Sequence, residues 1–316
     1  MAVEQQPDPI AAERSAALNP EAAGMQVERE SVAGDAASRT ETITSARRIP
    51  AEEYAGRPMP LMDEYDGFLV DLDGVVWLGR DPIPGSPEAL ATMLAAGKEV
   101  VFVTNNPSKV PEAYAERLRE LGVEVGPERI VTAGIVVTEL ARQAAGPGGT
   151  ALVLGRQPLR ELIAGAGLRL VDHEHPTKAA VVVVSGFRDF TYDHLLASKR
   201  ALDAGAALVA TSHDPTMPMT GGEWPGTGSI LAAVEVASGK VAEIAGKPEH
   251  HLFELALSRI PAAKRVAMIG DRLSSDIAGG HAAGLDTILV QSGTSEDPAK
   301  TPVTPTHTVA NLAALV

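Results

Sequence analysis

From about residue 64 onward, short apolar runs alternate with segments whose apolar residues recur at helical spacing. Phe68-Leu69-Val70, Val100-Val101-Phe102-Val103 and the runs at 266–269 and 287–290 read as buried strands. Helices are predicted over 87–96, closed by Gly97, over 111–121 with Gly122 past its end, over 249–259, and over 276–283 before Gly284. Strands alternating with helices predict an α/β fold with a doubly wound, Rossmann-like parallel sheet.

A second α/β module interrupts this pattern. Runs at 151–154, 179–184 and 207–210 are strand-like, and 158–164, 192–204 and 229–237 are helix-like. The Gly146-Pro147-Gly148-Gly149 turn makes an entry hinge and Gly246 an exit, so the module is expected to occupy 147–244. The core would then be 61–146 and 245–316. Residues 1–60 are rich in Ala, Glu, Gln, Ser and Pro with little apolar periodicity, a composition that cannot offset chain entropy, and a disordered tail is expected there.

Composition narrows the classes of function. Hydrophobic residues make up 45% of 316 positions and aromatics only 3%, which predicts a core of Ala, Val, Leu and Ile. A net charge of −14 argues against nucleic-acid and anionic-membrane partners, because phosphate backbones select basic surfaces. There are no cysteines, so thiolate metal sites and Cys nucleophiles are excluded. No apolar run approaches the ~18 residues of a membrane span. The first residues lack a secretory pattern, so a cytoplasmic protein is expected.

The chemistry concentrates at strand ends. Asp71-Leu72-Asp73-Gly74 follows the first strand, placing two carboxylates at its carboxyl end, where open α/β sheets bind ligands. Carboxylates this close repel, which a divalent cation would offset; an Asp can also act as a nucleophile beside a proton-handling partner. The pair suits a plain turn equally well. Thr104-Asn105-Asn106 ends the next strand and could hold phosphate oxygens or cap a helix. Gly246-Lys247-Pro248 precedes a helix, with Pro248 suited to its first turn and Lys247 either a phosphate-neutralising charge or a surface lysine. Gly270-Asp271 follows a later strand, where Asp271 would complete a magnesium site. Asp276, five residues on, could orient Lys247 or serve as an N-cap.

Strand-end Asp-x-Asp, strand-end Thr, loop Lys and Gly-Asp-x4-Asp, in this order, resemble the haloacid dehalogenase-like hydrolases from about residue 64 to about residue 295. Only 33 residues separate Asp71 from Thr104, whereas 143 separate Thr104 from Lys247. The extra domain therefore falls between the second and third motifs. That is similar to the subgroup with an α/β cap there, which includes phosphoglycolate, pyridoxal phosphate, glycerol-phosphate and 4-nitrophenyl phosphatases. Pro225-Gly226-Thr227-Gly228-Ser229 and Gly270-Asp271-Arg272-Leu273 resemble it locally. Two positions depart from the pattern: Ser275 stands where Thr is usual, and Ser212-His213 stands where Asn beside Thr is common.

The resemblance implies hydrolysis of a small phosphorylated metabolite in two steps. Asp71 would be the nucleophile and Asp73 the acid and base. Mg2+ would be held by Asp71, the Asp73 main-chain carbonyl and Asp271. Thr104, the Asn105 N–H, Asn106 and Lys247 would bind phosphate, with Asp276 in support. His213 is the cap residue expected to meet substrate, and a homodimer through the cap is the expected assembly. Competing readings are a catalytically quiet protein that binds a phosphorylated metabolite, and a phosphotransferase or mutase on the same scaffold. Gly226-Thr227-Gly228 is expected to start a helix rather than bind a dinucleotide. His173-x-His175 is expected on a surface turn, and His250-His251 in a structural role.

Overall fold

The computed structural model describes residues 59–219, 222–294 and 296–316. All but the last two residues of the tail expected over 1–60 lie outside the described residues. The chain runs through β1 (Gly67–Asp71), a small hairpin of β2 (Trp77–Leu78) and β3 (Asp81–Pro82), α1 (Ser86–Ala95), β4 (Glu99–Thr104), α2 (Pro111–Glu120), β5 (Ile130–Thr132) and α3 (Ala133–Ala145). It continues with β6 (Thr150–Leu154), α4 (Gln157–Gly165), β7 (Arg169–Val171), β8 (Val181–Val184), α5 (Tyr192–Asp203), β9 (Ala207–Ala210), the hairpin β10 (Thr216–Met219) and β11 (Gly222–Pro225), α6 (Thr227–Ser238) and β12 (Glu243–Ile244). Last come α7 (His250–Ser258), β13 (Val266–Gly270), α8 (Ala278–Ala282), β14 (Asp286–Val290) and β15 (His307–Val309).

Two parallel sheets result. The first has six strands in the order β15-β14-β13-β1-β4-β5, every pairing parallel. The second has five, β12-β9-β8-β6-β7, again all parallel, and its chain lies between β5 and β13. This is the doubly wound core with an inserted α/β cap that the residue pattern predicts.

The alternation along each strand divides the interior. Phe68, Val70, Val100 and Phe102 point to one face of the first sheet, into a cluster with Leu90, Met93, Tyr114 and Leu118 of α1 and α2. Leu69, Val101, Val103 and Met268 point to the other face and join Val136, Val137 and Leu140 of α3 and Phe253 of α7. That second cluster continues without a break into Val153, Val181, Val183 and Val209 of the cap sheet. One apolar layer, built around α3, is thus shared by both sheets.

Sharing that layer gives α3 a broad buried face. Ala133, Gly134, Val136, Val137, Thr138, Leu140 and Ala141 are all buried, which widens the apolar face beyond the usual amphipathic arc. β5, β7, β12 and β15 have two or three residues each, too short for a periodic signal. The core is also less purely aliphatic than the 3% aromatic content suggests, because Trp77, Tyr65, Phe68, Phe102 and Phe253 are all fully buried. Among the described residues no helix is long and apolar enough to cross a membrane.

Candidate active site

β1 and β13 are neighbours, and between them the strand order reverses: the chain moves outward from β1 through β4 and β5, then returns on β1's other side. Such a switch point opens a crevice beyond the carboxyl ends of the strands. Asp71 is the last residue of β1, Asp271 directly follows β13, and Thr104 is the last residue of β4. Lys247 arrives from the loop after β12. Pro248 lies ahead of the α7 N-cap, Glu249, rather than inside the first helical turn. α7 needs no proline there, and the loop instead pins Lys247 through Asn105, whose Oδ1 accepts the Lys247 N–H at 2.7 Å and whose Nδ2 donates to the Lys247 carbonyl at 3.0 Å.

The charged groups converge in the interior. Lys247 Nζ lies 2.6 Å from Asp71 Oδ1 and 2.7 Å from Asp276 Oδ1. Asp71, Asp271 and Asp276 each offer a carboxylate oxygen within 4.8 Å of the others. All four residues are buried. Asp276 sits inside the π-helical turn Leu273–Ile277, and its Oδ2 accepts the N–H of Arg272 at 3.0 Å. It acts as the lysine's second counter-ion and not as the N-cap, because the turn starts at Arg272 and carries Asp276 inward.

Burial and neighbouring charge set the ionisation. Loss of solvent raises the Asp71 carboxyl well above the usual range, against the attraction of Lys247, and the charges of Asp276 and Asp271 add to the rise. Burial, with Asp276 close by, lifts Asp271 to about 6, while the Thr294 N–H restrains it. Burial would lower Lys247, but Asp276 and Asp71 outweigh it and keep the ammonium protonated. One ammonium therefore faces three carboxylates. Asp271 Oδ2 accepts the Thr294 N–H at 2.6 Å, whereas buried Oδ1 has no hydrogen-bond donor among the described residues. A surplus of buried negative charge and an orphaned carboxylate oxygen fit a hard cation with oxygen ligands.

Backbone packing leaves room for nothing larger. Gly74 has φ +94°, and a Cβ there would stand 2.3 Å from Asp271 Oδ2, so the loop after Asp73 closes on Asp271 only as glycine.

Asp73 has a different setting and is half-buried. Its Oδ1 accepts the Trp77 indole N–H at 2.9 Å and its Oδ2 the Asn106 amide at 3.3 Å. Thr104 Oγ1 accepts the Asn106 N–H at 3.1 Å. Asn105 Nδ2 also donates to Asp214 Oδ2 at 3.0 Å, tying the cap loop to the core loop. His213, beside it, is exposed and makes no side-chain hydrogen bond or ion pair among the described residues. Part of the cap loop expected to shape the pocket, residues 220 and 221, lies outside the described residues.

The structure thus brings Asp71, Lys247, Asp271 and Asp276 to one point and sets Asp73, Thr104, Asn105 and Asn106 beside it. Sequence reasoning missed Asp214, the Thr294 N–H, Trp77 and Tyr114. Asp214 lies within the recognised cap segment, but its partner is 109 residues away, and no local pattern reports such a bond. As expected, Gly226 caps α6 and the histidines at 173 and 175 sit on an exposed turn, where His175 pairs with Asp172 at 3.0 Å. His250 and His251 begin α7; with Glu254 they form a second cluster of donor atoms at the surface, and His251 pairs with Glu243 at 3.0 Å.

Fold and site together define an α/β enzyme centred on a topological switch point. Residues 68–169 match the family described as haloacid dehalogenase-like hydrolase, and residues 244–315 match a HAD-hydrolase-like family. An acid sugar phosphatase of Staphylococcus aureus is 33% identical over 79% of this chain and 96% of its own length. A glycerol phosphate phosphatase from Mycobacterium tuberculosis, solved in complex with magnesium, superposes with a TM-score of 0.73 at 33% identity, covering 82% of this chain and 78% of that one. A p-nitrophenyl phosphatase from Archaeoglobus fulgidus gives 0.73 at 28% identity, covering 79% and 98%. The chain belongs to the haloacid dehalogenase-like hydrolases, among their phosphatases.

Proposed function

We propose that the chain is a Mg2+-dependent phosphomonoesterase that hydrolyses a small phosphorylated metabolite through an aspartyl-phosphate at Asp71. The observation that carries this reading is Lys247 Nζ held between Asp71 and Asp276, with Asp271 alongside. Asp71, the Asp73 main-chain carbonyl and Asp271 would hold the cation. When bound, it neutralises the approach of a phosphate dianion to an anionic nucleophile, a repulsion of ~4 kcal/mol at ~4 Å and an effective dielectric of ~20.

The chain's own groups then divide the work. A carboxylate oxygen of Asp71 attacks phosphorus, and the bond from phosphorus to the ester oxygen breaks. Asp73 gives its proton to that departing oxygen, and later takes one from the water that cleaves the aspartyl-phosphate and regenerates Asp71. Lys247, Thr104, the Asn105 N–H and Asn106 orient the phosphoryl oxygens. Two carboxylates in unlike settings, one buried against an ammonium and one half-exposed, suit these two roles.

The metabolites named for the relatives, sugar phosphates and glycerol phosphate, are the substrate class we favour, with pyridoxal phosphate and phosphoglycolate as further members. The cap, which we place at 147–244, would select among them through His213 and Asp214. A cytoplasmic homodimer joined through the cap completes the reading.

Release of 4-nitrophenolate from 4-nitrophenyl phosphate, with magnesium and with chelator, tests it. Turnover should need the metal and vanish in Asp71→Asn. Wild-type rate in Asp71→Asn would remove the proposed nucleophile, and no turnover by the parent enzyme would favour a quiet binding protein.

A further inference from the structure

Asp73 is held from both sides by a closed ring of side chains. Trp77 is fully buried; its indole N–H donates to Asp73 Oδ1 at 2.9 Å, and its carbonyl accepts the N–H of the next residue, Gly74, at 2.8 Å. The Tyr114 ring lies parallel to the Trp77 ring, 2° between planes and 6.4 Å between centroids, and the Arg117 guanidinium stands 3.9 Å over the indole. The Tyr114 hydroxyl donates to the Asn106 carbonyl at 3.0 Å. Asn106 Oδ1 accepts the Ser108 N–H at 3.1 Å, which turns Nδ2 toward Asp73 Oδ2, where it donates at 3.3 Å.

The indole N–H and the Asn106 amide NH2 can only donate, so each occupies one lone pair of the carboxylate oxygen it meets, and the shorter bond holds Oδ1. The longer contact at Oδ2 leaves that oxygen the weaker-held of the two and the place for a transferable proton. A guanidinium over the ring is attracted to the indole face and withdraws charge from it, which strengthens the N–H as a donor. We propose that Trp77 is a positioning residue for Asp73, fixing which oxygen exchanges protons with the substrate, and that Tyr114 completes the hold through Asn106. The proposal rests on the reading of Asp73 as the acid and base.

Its signature is dependence on the leaving group. An aliphatic alkoxide is a poor leaving group and needs the proton of Asp73 as the ester bond breaks; 4-nitrophenolate is stable as an anion and does not. kcat/KM, which reports the steps through formation of the aspartyl-phosphate, is measured with saturating magnesium for 4-nitrophenyl phosphate and for the best aliphatic phosphate of a panel. In Trp77→Phe the aliphatic ester should lose ~10²-fold, while the nitrophenyl ester loses no more than about threefold. Tyr114→Phe removes a single oxygen and should shift the same ratio in the same direction by less, and it serves alone if Trp77→Phe does not fold. Equal losses for the two esters, no loss for the aliphatic one, or a parent enzyme active only on the nitrophenyl ester would overturn the clamp. A parent enzyme inactive on both would instead overturn the phosphatase reading beneath it.

Discussion

Lys247 Nζ lies 2.6 Å from Asp71 Oδ1, although 176 residues separate the two in the chain. The pair joins the first strand of the fold to a loop reached only after the whole cap has been traversed. A fully buried ion pair is stable only if every charge in it is answered, and here Asp276 supplies the second contact.

Lys247→Met should remove that answer. Three buried carboxylates would remain without the ammonium that lies between two of them. We expect a loss of about 3–5 kcal/mol in the metal-free protein, read by denaturant unfolding, together with loss of turnover. Magnesium should recover part of the stability and none of the activity, since the phosphate-facing ammonium is gone.

The metal-free enzyme should gain stability from this site as pH falls. Asp71 and Asp271 are both harder to ionise folded than unfolded. Well below pH 3.8 both are protonated in either state and carry no penalty. As pH rises from the ordinary 3.8 to the folded value of Asp271, about 6, the penalty grows to about 3 kcal/mol for that residue and levels off above it. Thermal unfolding in chelator from pH 4 to 8, with Asp271→Asn as control, measures this; the control should be less steep than the parent, the remaining slope coming from Asp71. Added magnesium should raise the melting temperature more at pH 7 than at pH 5, because protons compete with it for Asp271.

Gly74→Ala should weaken the cation site without touching a ligand side chain. The left-handed φ of +94° costs about 1–2 kcal/mol for an L-residue, and the new methyl would press on Asp271 Oδ2. Magnesium titration should show a higher half-saturating concentration, and a normal magnesium response would contradict the close approach.

Asn105 copies a backbone pairing, with one amide satisfying both the N–H and the carbonyl of Lys247. Asn105→Ala leaves both groups without that partner, at about 1–3 kcal/mol each where they remain dry. It also frees Asp214 of the cap. We expect a fall in kcat and a rise in KM together, whereas Asp214→Ala should raise KM alone; steady-state kinetics of the two variants separates these outcomes.

The strand-end residues were legible because each motif directly follows a buried apolar run, and sheet geometry then dictates that Asp71, Thr104 and Asp271 share an edge. Asp276 was legible by spacing, with its role left open between orienting Lys247 and capping the helix, since the π turn that directs it to Lys247 carries no pattern of its own. Trp77 and Tyr114 were invisible as a pair, because stacking across 37 positions follows from how α2 settles on the sheet.

Read alone, the order of residues determined the alternation of strand and helix, the place of the insertion, and the chemical groups available at each strand end, because these depend on local periodicity and spacing. Tertiary structure alone decided which carboxylate would meet the ammonium, which would face the indole, and that α3 would serve two sheets at once. Those outcomes depend on long-range packing and burial, whose energies arise between segments far apart in the chain.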